Sequence, residues 1–292
     1  LQSKKFYLKS LELRKVLKDT IGSAKILGNL AGLYQRQQKL DTAMIYSIKA
    51  MKILENKGFK NNATLIKSNI ASMYMDLKAY DKALTYLKDI LEYQTQTKDY
   101  FFKANTLSNI GNAYLLKFDT LQAIKHYELA IDYSNKSENN QTKSVAFSNL
   151  GNIFSAKNNS KKAINYFNQS LKIRKELNSD YDLASIKMSL GMEYLRTGDV
   201  KKAKDKFLEC LFYFEDKEIK DKLIPLYSSL SVVYAYENNV SKVRFYSDKY
   251  SNLNSIYTSE NQIKKISEIE TKYETEKKEK EIAQQKEQLL EN

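Results

Sequence analysis

Along the chain an aliphatic residue and, four positions later, an aromatic ring recur together: Leu30 with Tyr34, Ile70 with Tyr74, Ile110 with Tyr114, Leu150 with Phe154, Leu190 with Tyr194, and Leu230 with Tyr234. Each pair follows the last by 40 residues. A small residue comes next to each aliphatic one (Ala31, Ala71, Gly111, Gly151, Gly191, Ser231), and nine residues past each ring stands a small apolar one (Ala43, Ala83, Ala123, Ala163, Ala203, Val243). Columns held in phase mark a repeat array rather than a single globular core. Within one unit, Leu107, Ile110, Ala113 and Tyr114 form a helical stripe, and Ala123, Ile124, Tyr127, Ala130 and Ile131 form a second. A polar break at Lys117–Thr120 separates them, so each unit is predicted to be a helical hairpin. Gly111 and Ala123 let the two backbones approach while the rings of Tyr114 and Tyr127 fill the space beside them. Breaker residues stand where helices should end: Asp41, Asp81, Phe118-Asp119, Asn158-Asn159-Ser160, Thr197-Gly198-Asp199 and Asn238-Asn239. Longer polar connections between units are expected at Asn56-Lys57-Gly58 and over residues 135–141.

The string Ile110-Gly111-Asn112-Ala113-Tyr114, with Ala123, Tyr127 and Ala130 downstream, resembles the tetratricopeptide repeat signature. The resemblance implies an all-α fold, a right-handed superhelical solenoid of helix-turn-helix repeats. It divides the chain into a partial N-terminal repeat helix (1–21), six 40-residue repeats (22–258) and a long charged C-terminal helix (259–292). The early Trp of the family is missing, as is its closing Pro; Pro225, the one proline, is read as opening a helix. A period above the usual ~34 residues implies longer helices, similar to those of kinesin light chains and bacterial peptide-pheromone receptors.

Composition narrows the classes. One Pro and eight Gly in 292 residues do not describe a disordered linker, and no stretch approaches the ~20 apolar residues of a membrane span. Cys210, the single cysteine, falls in a second helix beside Phe207 and Leu211 and reads as a small core residue. Phe6, Tyr7, Leu8, Leu11 and Leu17 enter a helical pattern from the first residues, as if the chain began within the second helix of a cut unit.

Catalysis has little support. His126, the only histidine, stands beside Tyr127 and is expected to face solvent. One His and one Cys make no metal site, and Gly28-x-x-x-Gly32 lies inside a helix, not in a phosphate loop. No enzyme activity, cofactor or metal is expected. The informative column is polar: Asn29, Asn69, Asn109, Asn149, Ser189 and Ser229 precede the aliphatic residue of each first helix, with Asn112 and Asn152 three positions beyond two of them. By the family resemblance first helices line a concave groove. An amide carries a donor and an acceptor, which suits an extended peptide backbone, so Asn29, Asn69, Asn109, Asn112, Asn149 and Asn152 are candidate peptide- or partner-binding residues. The other reading of the column is structural, each amide bonding the neighbouring repeat and setting its pitch.

The net charge is +13, and residues 260–292 hold 7 Lys and 9 Glu, which leaves about +15 on the repeats. A basic groove or back is expected, with runs at Lys4-Lys5, Arg14-Lys15 and Lys201-Lys202-x-Lys204-x-Lys206. Such runs can meet nucleic acid or anionic lipid, or form a solvated face; no recognition motif accompanies them, so nucleic acid is a secondary reading. From about Ser259 a polar helix is predicted, whose stripe Ile263, Ile266, Ile269, Tyr273 should cap the last repeat, with Ile282, Ala283, Leu289 and Leu290 resuming it. The pairs Glu268–Lys272, Glu274–Lys278 and Glu276–Lys280 each add about 0.2–0.5 kcal/mol to an isolated helix. Residues Tyr273 to Leu290 resemble the helix that follows the repeats in the extracytoplasmic sensor regions of bacterial membrane-bound histidine kinases and in related transcription regulators. That resemblance implies a periplasmic or extracytoplasmic sensor with a peptide or protein ligand, a homodimer through the C-terminal helix, and membrane contact only through segments outside this chain. The alternative is a cytoplasmic scaffold or peptide-regulated adaptor.

Overall fold

The computed structural model describes the backbone of residues 2–37 and 39–291, and the side chains of residues 3–37, 39–270, 273 and 274. The described residues form α-helices throughout, with no strand, in two compact units, Leu1–Asn178 and Ser179–Asn292. The first unit holds α1 (Gln2–Val16), α2 (Thr20–Arg36), α3 (Leu40–Asn56), α4 (Lys60–Asp76), α5 (Tyr80–Gln96), α6 (Tyr100–Leu116), α7 (Thr120–Ser137), α8 (Asn140–Ala156) and α9 (Ser160–Glu176). The second holds α10 (Asp180–Arg196), α11 (Val200–Asp216), α12 (Lys220–Tyr236) and α13 (Val240–Glu291). Helices pair as α2/α3, α4/α5, α6/α7, α8/α9, α10/α11 and α12/α13, which are the six predicted hairpins, with α1 before them.

One connection serves within and between hairpins. The N–H of the residue before the next helix donates to a carbonyl five back, as in Asp119 to Tyr114 (2.9 Å), Asn139 to Ser134 (3.0 Å) and Asn159 to Phe154 (2.8 Å). This closure needs a left-handed residue just before it, and the chain supplies Gly58 (φ 77°) and Gly198 (φ 79°), but also Lys78 (58°), Phe118 (63°) and Glu138 (54°). The closing residue then caps the next helix: Asp119 accepts from Gln122 N (3.1 Å), Asn159 from Lys162 N (3.1 Å). The longer linker expected over residues 135–141 is absent, because α7 continues to Ser137 and α8 begins at Asn140. Residues added relative to shorter repeats have gone into helix instead.

Left-handed backbone costs an L-residue about 1–2 kcal/mol, part of which glycine returns as chain entropy. Phe118 is 92% exposed and packs on nothing that would be lost. Phe118→Gly is therefore expected to raise stability by about 0.5 kcal/mol, read as a higher urea midpoint. The same change at Phe212, 78% exposed inside α11, is expected to lower it by about 1 kcal/mol.

Hairpin cores are built on size complementarity. A Cβ on Gly111, Gly151 or Gly191 would lie 2.7, 2.4 or 2.5 Å from ring carbons of Tyr127, Phe167 and Phe207, all fully buried. Where the same column carries Ala31 or Ala71, the residue sixteen further on is Ser47 or Leu87; where it carries Ser231, that residue is Ser247, with the two hydroxyls 2.9 Å apart. In four hairpins the repeating ring of the first helix stacks on a tyrosine of the second: Tyr34 on Tyr46 (5.6 Å between centroids), Tyr74 on Tyr86 (5.8 Å), Phe154 on Tyr166 (5.5 Å) and Tyr234 on Tyr246 (5.5 Å).

Two expectations change. Pro225 lies inside α12 rather than opening it, because the start is set by the left-handed Glu218 and by Ile219 before the helix. The helix α13 also runs unbroken through Ser259. Val243, Tyr246, Tyr250 and Leu253 seal the last hairpin against Tyr227, Leu230 and Tyr234, and Lys220 holds Glu260 at 2.7 Å. Beyond that point Ile263, Ile266, Ile269 and Tyr273 are exposed, so they do not cap the repeat. The 17 residues of α12 span only about 25 Å, and α13 outruns its partner. The pairs Glu268–Lys272, Glu274–Lys278 and Glu276–Lys280, with Ile282, Ala283, Leu289 and Leu290, lie outside the described side chains.

Candidate functional site

The first helices α4, α6 and α8 come together in the first unit, and with α5 they enclose a cleft of about 520 Å³. Its wall includes side chains from successive turns of each first helix, among them Asn61, Leu65 and Ser68 from α4, Asn105, Asn109 and Asn112 from α6, and Thr142 and Val145 from α8. Asn109 and Asn112 of the predicted column thus line it. Asn149 stands beside it, donating to Asn112 Oδ1 at 3.1 Å. Asn29, Asn69 and Asn152 are exposed on the helices and lie outside this wall.

The amides are held by two networks. Tyr127, whose ring is buried under Gly111, donates to Asn112 Oδ1 at 2.6 Å; burial pushes its hydroxyl well above the ordinary range, with the Asn149 amide pulling the other way. In the second network Thr142 N donates to Asn139 Oδ1 (3.1 Å), which orients the Asn139 amide to donate to Asn105 Oδ1 (2.8 Å) and Phe101 O (3.1 Å). Thr142 Oγ1 also donates to Asn105 Oδ1. On the far wall Tyr93 donates to Asn61 Oδ1 at 2.7 Å. With their carbonyl oxygens engaged, Asn61, Asn105 and Asn112 have amide N–H groups left to offer a ligand.

Asn61, Tyr93, Gln94, Asn105 and Thr142 did not stand out in the sequence. Asn105 lies one helical turn before Asn109, and a search for polar residues four positions either side of the Asn column would have found it. Gln94 has a different signal: the column 54, 94, 134, 174, 214 reads Leu, Gln, Ser, Arg, Phe, so a polar residue occupies a place that is apolar at both ends of the series.

Of the expected basic groove or back, the cleft does not supply a basic groove. Asp99 is the only ionised side chain among the described residues lining the cleft, and it is occupied in capping α6. Lys67 is drawn aside to Glu55 (2.7 Å) and Asp89. In the second unit the Lys201–Lys206 run is largely neutralised: Lys202 pairs with Asp199 (2.7 Å), Lys204 with Glu237 (2.8 Å) and Lys206 with Glu209. Lys202 and Lys204 also lie over the rings of Tyr194 and Tyr234.

The residues weighed for chemistry are structural. His126 does not face open solvent: it is half-buried, stacked on Tyr114 (5.2 Å) in the place that Tyr holds in neighbouring hairpins, with Nδ1 2.8 Å from Gln122 O. Cys210 is fully buried, as expected of a core residue, and burial pushes its thiol up to about 12. Among the described residues no group of three or more His, Cys, Asp and Glu is placed to hold a metal ion, and no helix is long and apolar enough to cross a membrane.

Residues 62–136 and 103–176 match the tetratricopeptide repeat family. The stretch 62–176 carries tetratricopeptide repeats. Spacing between helix starts remains 20 residues beyond the matched stretch, from α2 through α13. No curated protein sequence matches the chain. Among solved structures it is similar to a Signal Transduction ATPase with Numerous Domains that has a tetratricopeptide repeat sensor, from Pyrococcus horikoshii (TM-score 0.69, 16% identity, 88% of this chain and 41% of that one). It is similar to a Rap protein complexed with competence and sporulation factor (TM-score 0.58, 18% identity, 88% and 72%), and to the apo quorum sensor NprR from B. thuringiensis (TM-score 0.59, 14% identity, 83% and 80%). At these identities the likeness establishes the fold. The chain spans under half the length of the ATPase.

Proposed function

We propose that this chain is a non-catalytic binding domain whose ligand is a peptide or an extended protein segment lying in the α4–α6–α8 cleft. Tetratricopeptide repeats are protein-interaction modules, and one observation carries the finer reading. In a chain of net charge +13, the cleft wall apart from the capping Asp99 is built from uncharged amides and hydroxyls interleaved with Leu65, Phe102 and Val145. An extended peptide offers carbonyl oxygens to such a wall at every second residue, and the apolar positions receive side chains between them.

The domain is further proposed as the sensory part of a bacterial membrane signalling protein of the two-component type, on the extracytoplasmic side. The form of α13 supports this. Its first four turns are core of the last hairpin and its continuation is exposed, so a shift of that hairpin moves one continuous helix. The paired lysines of the 201–206 run support a protein ligand over nucleic acid or anionic lipid. Salt dependence tests this: affinity for a peptide selected from an uncharged library should change less than about threefold between 50 and 500 mM NaCl, whereas counterion release from nucleic acid would cost about a thousandfold or more. A loss of that size would favour the polyanion reading.

A further inference from the structure

The cleft lining holds one buried side-chain acceptor that no described residue answers. Gln94 of α5 is only 5% exposed, and its Oε1 has no hydrogen-bond partner among the described residues. It lines the cleft together with Ile90 and Thr106. A buried carboxamide oxygen without a donor destabilises the fold. The equivalent position one repeat earlier is Leu54, buried to 3%, so an apolar residue fits this column.

The other amide oxygens of the wall differ. Asn61 accepts from Tyr93, Asn105 from Asn139 and Thr142, and Asn112 from Tyr127 and Asn149. Asn109 and Gln141 also make no side-chain hydrogen bond among the described residues, but Gln94 is the wall amide whose oxygen is buried without one, and a ligand must bring the donor. A cationic donor fits poorly: Ile90, Leu65 and Phe102 line the same space, and the one carboxylate, Asp99, already accepts from Phe102 N at 3.3 Å. An ammonium would lose its water without gaining an open counter-charge.

We infer that Gln94 forms a specificity subsite for an uncharged hydrogen-bond-donating side chain of the ligand peptide, a hydroxyl or a carboxamide. The inference rests on the proposed peptide-binding cleft and adds what the peptide must carry. Discrimination comes from the partner left behind: an isostere lacking the donor enters the same space and leaves Gln94 Oε1 buried and unpaired.

The test uses the full chain and acetylated, amidated hexapeptides on an alanine background, each with one Thr, Ser or Asn, against matched peptides with Val, Ala or Leu at that place. Wild-type protein is expected to bind the best donor peptide at least about tenfold more tightly than its isostere. Gln94→Leu, which restores the residue type of Leu54, is expected to keep or raise the urea midpoint and to bind the two peptides equally. A preference that survives in Gln94→Leu overturns the subsite. Binding that is lost in Asn109→Ala but never depended on the donor also overturns it, and leaves the cleft reading standing. Binding indifferent to both substitutions, or absent for every peptide, overturns both.

Discussion

Gly151→Ala should lower stability by about 2 kcal/mol, and adding Phe167→Leu should recover a large part of the loss. The added Cβ would stand 2.4 Å from Cε1 and 2.5 Å from Cδ1 of Phe167, whose ring is 1% exposed and has nowhere to move. Overpacking of this kind costs about 1–3 kcal/mol or more, and the better helix propensity of alanine returns about 1. The chain already contains the compensated pair, since Ala71 is accompanied by Leu87 at the same two positions, both buried. A double-mutant cycle in urea should show a favourable coupling of at least about 1 kcal/mol. Additive losses would mean that the glycine and the ring are not matched to each other, and the account of the hairpin core would be wrong.

The second large effect separates two roles within the Asn column. Asn109 lines the cleft and makes no side-chain hydrogen bond among the described residues. Asn109→Ala should leave stability within about 0.5 kcal/mol of wild type and weaken binding of a library-selected peptide roughly tenfold. Asn112 accepts from both Tyr127 and Asn149. Asn112→Ala strands a fully buried tyrosine hydroxyl and should cost about 1–3 kcal/mol of stability as well as affinity. Calorimetric binding beside urea melts of both variants checks this. Equal stability losses would make the whole column structural, and intact binding in Asn109→Ala would remove it from the site.

The repeat period, the hairpins and the buried columns were legible because each depends on side-chain size at fixed spacing, which six copies print repeatedly. The connections were harder to read. A left-handed residue is ordinarily signalled by Gly or Asn, and here Lys78, Lys98, Phe118 and Glu138 occupy it, so the identity of turns within and between hairpins was hidden. The polar column includes Asn109 and Asn112 of the cleft wall but could not show that α4, α6 and α8 come together around it, since that depends on how successive hairpins pack and on side chains arriving from α5. The exposure of Ile263 and Ile266 follows from the length of α12, a neighbour rather than a neighbouring residue. The expectation of a basic groove failed for a similar reason: Lys67, Lys202 and Lys204 meet carboxylates brought in from other helices or turns.

The most direct test is a hydrogen-exchange map of the full chain with and without a peptide selected from an uncharged library. Added protection should concentrate in α4, α6 and the start of α8, around residues 61–68, 102–112 and 141–145, with the Asn109 turn among the strongest. Protection gathered instead around the lysines of residues 201–206, or along the exposed part of α13 with none in α6, would contradict a ligand site in the first-helix cleft.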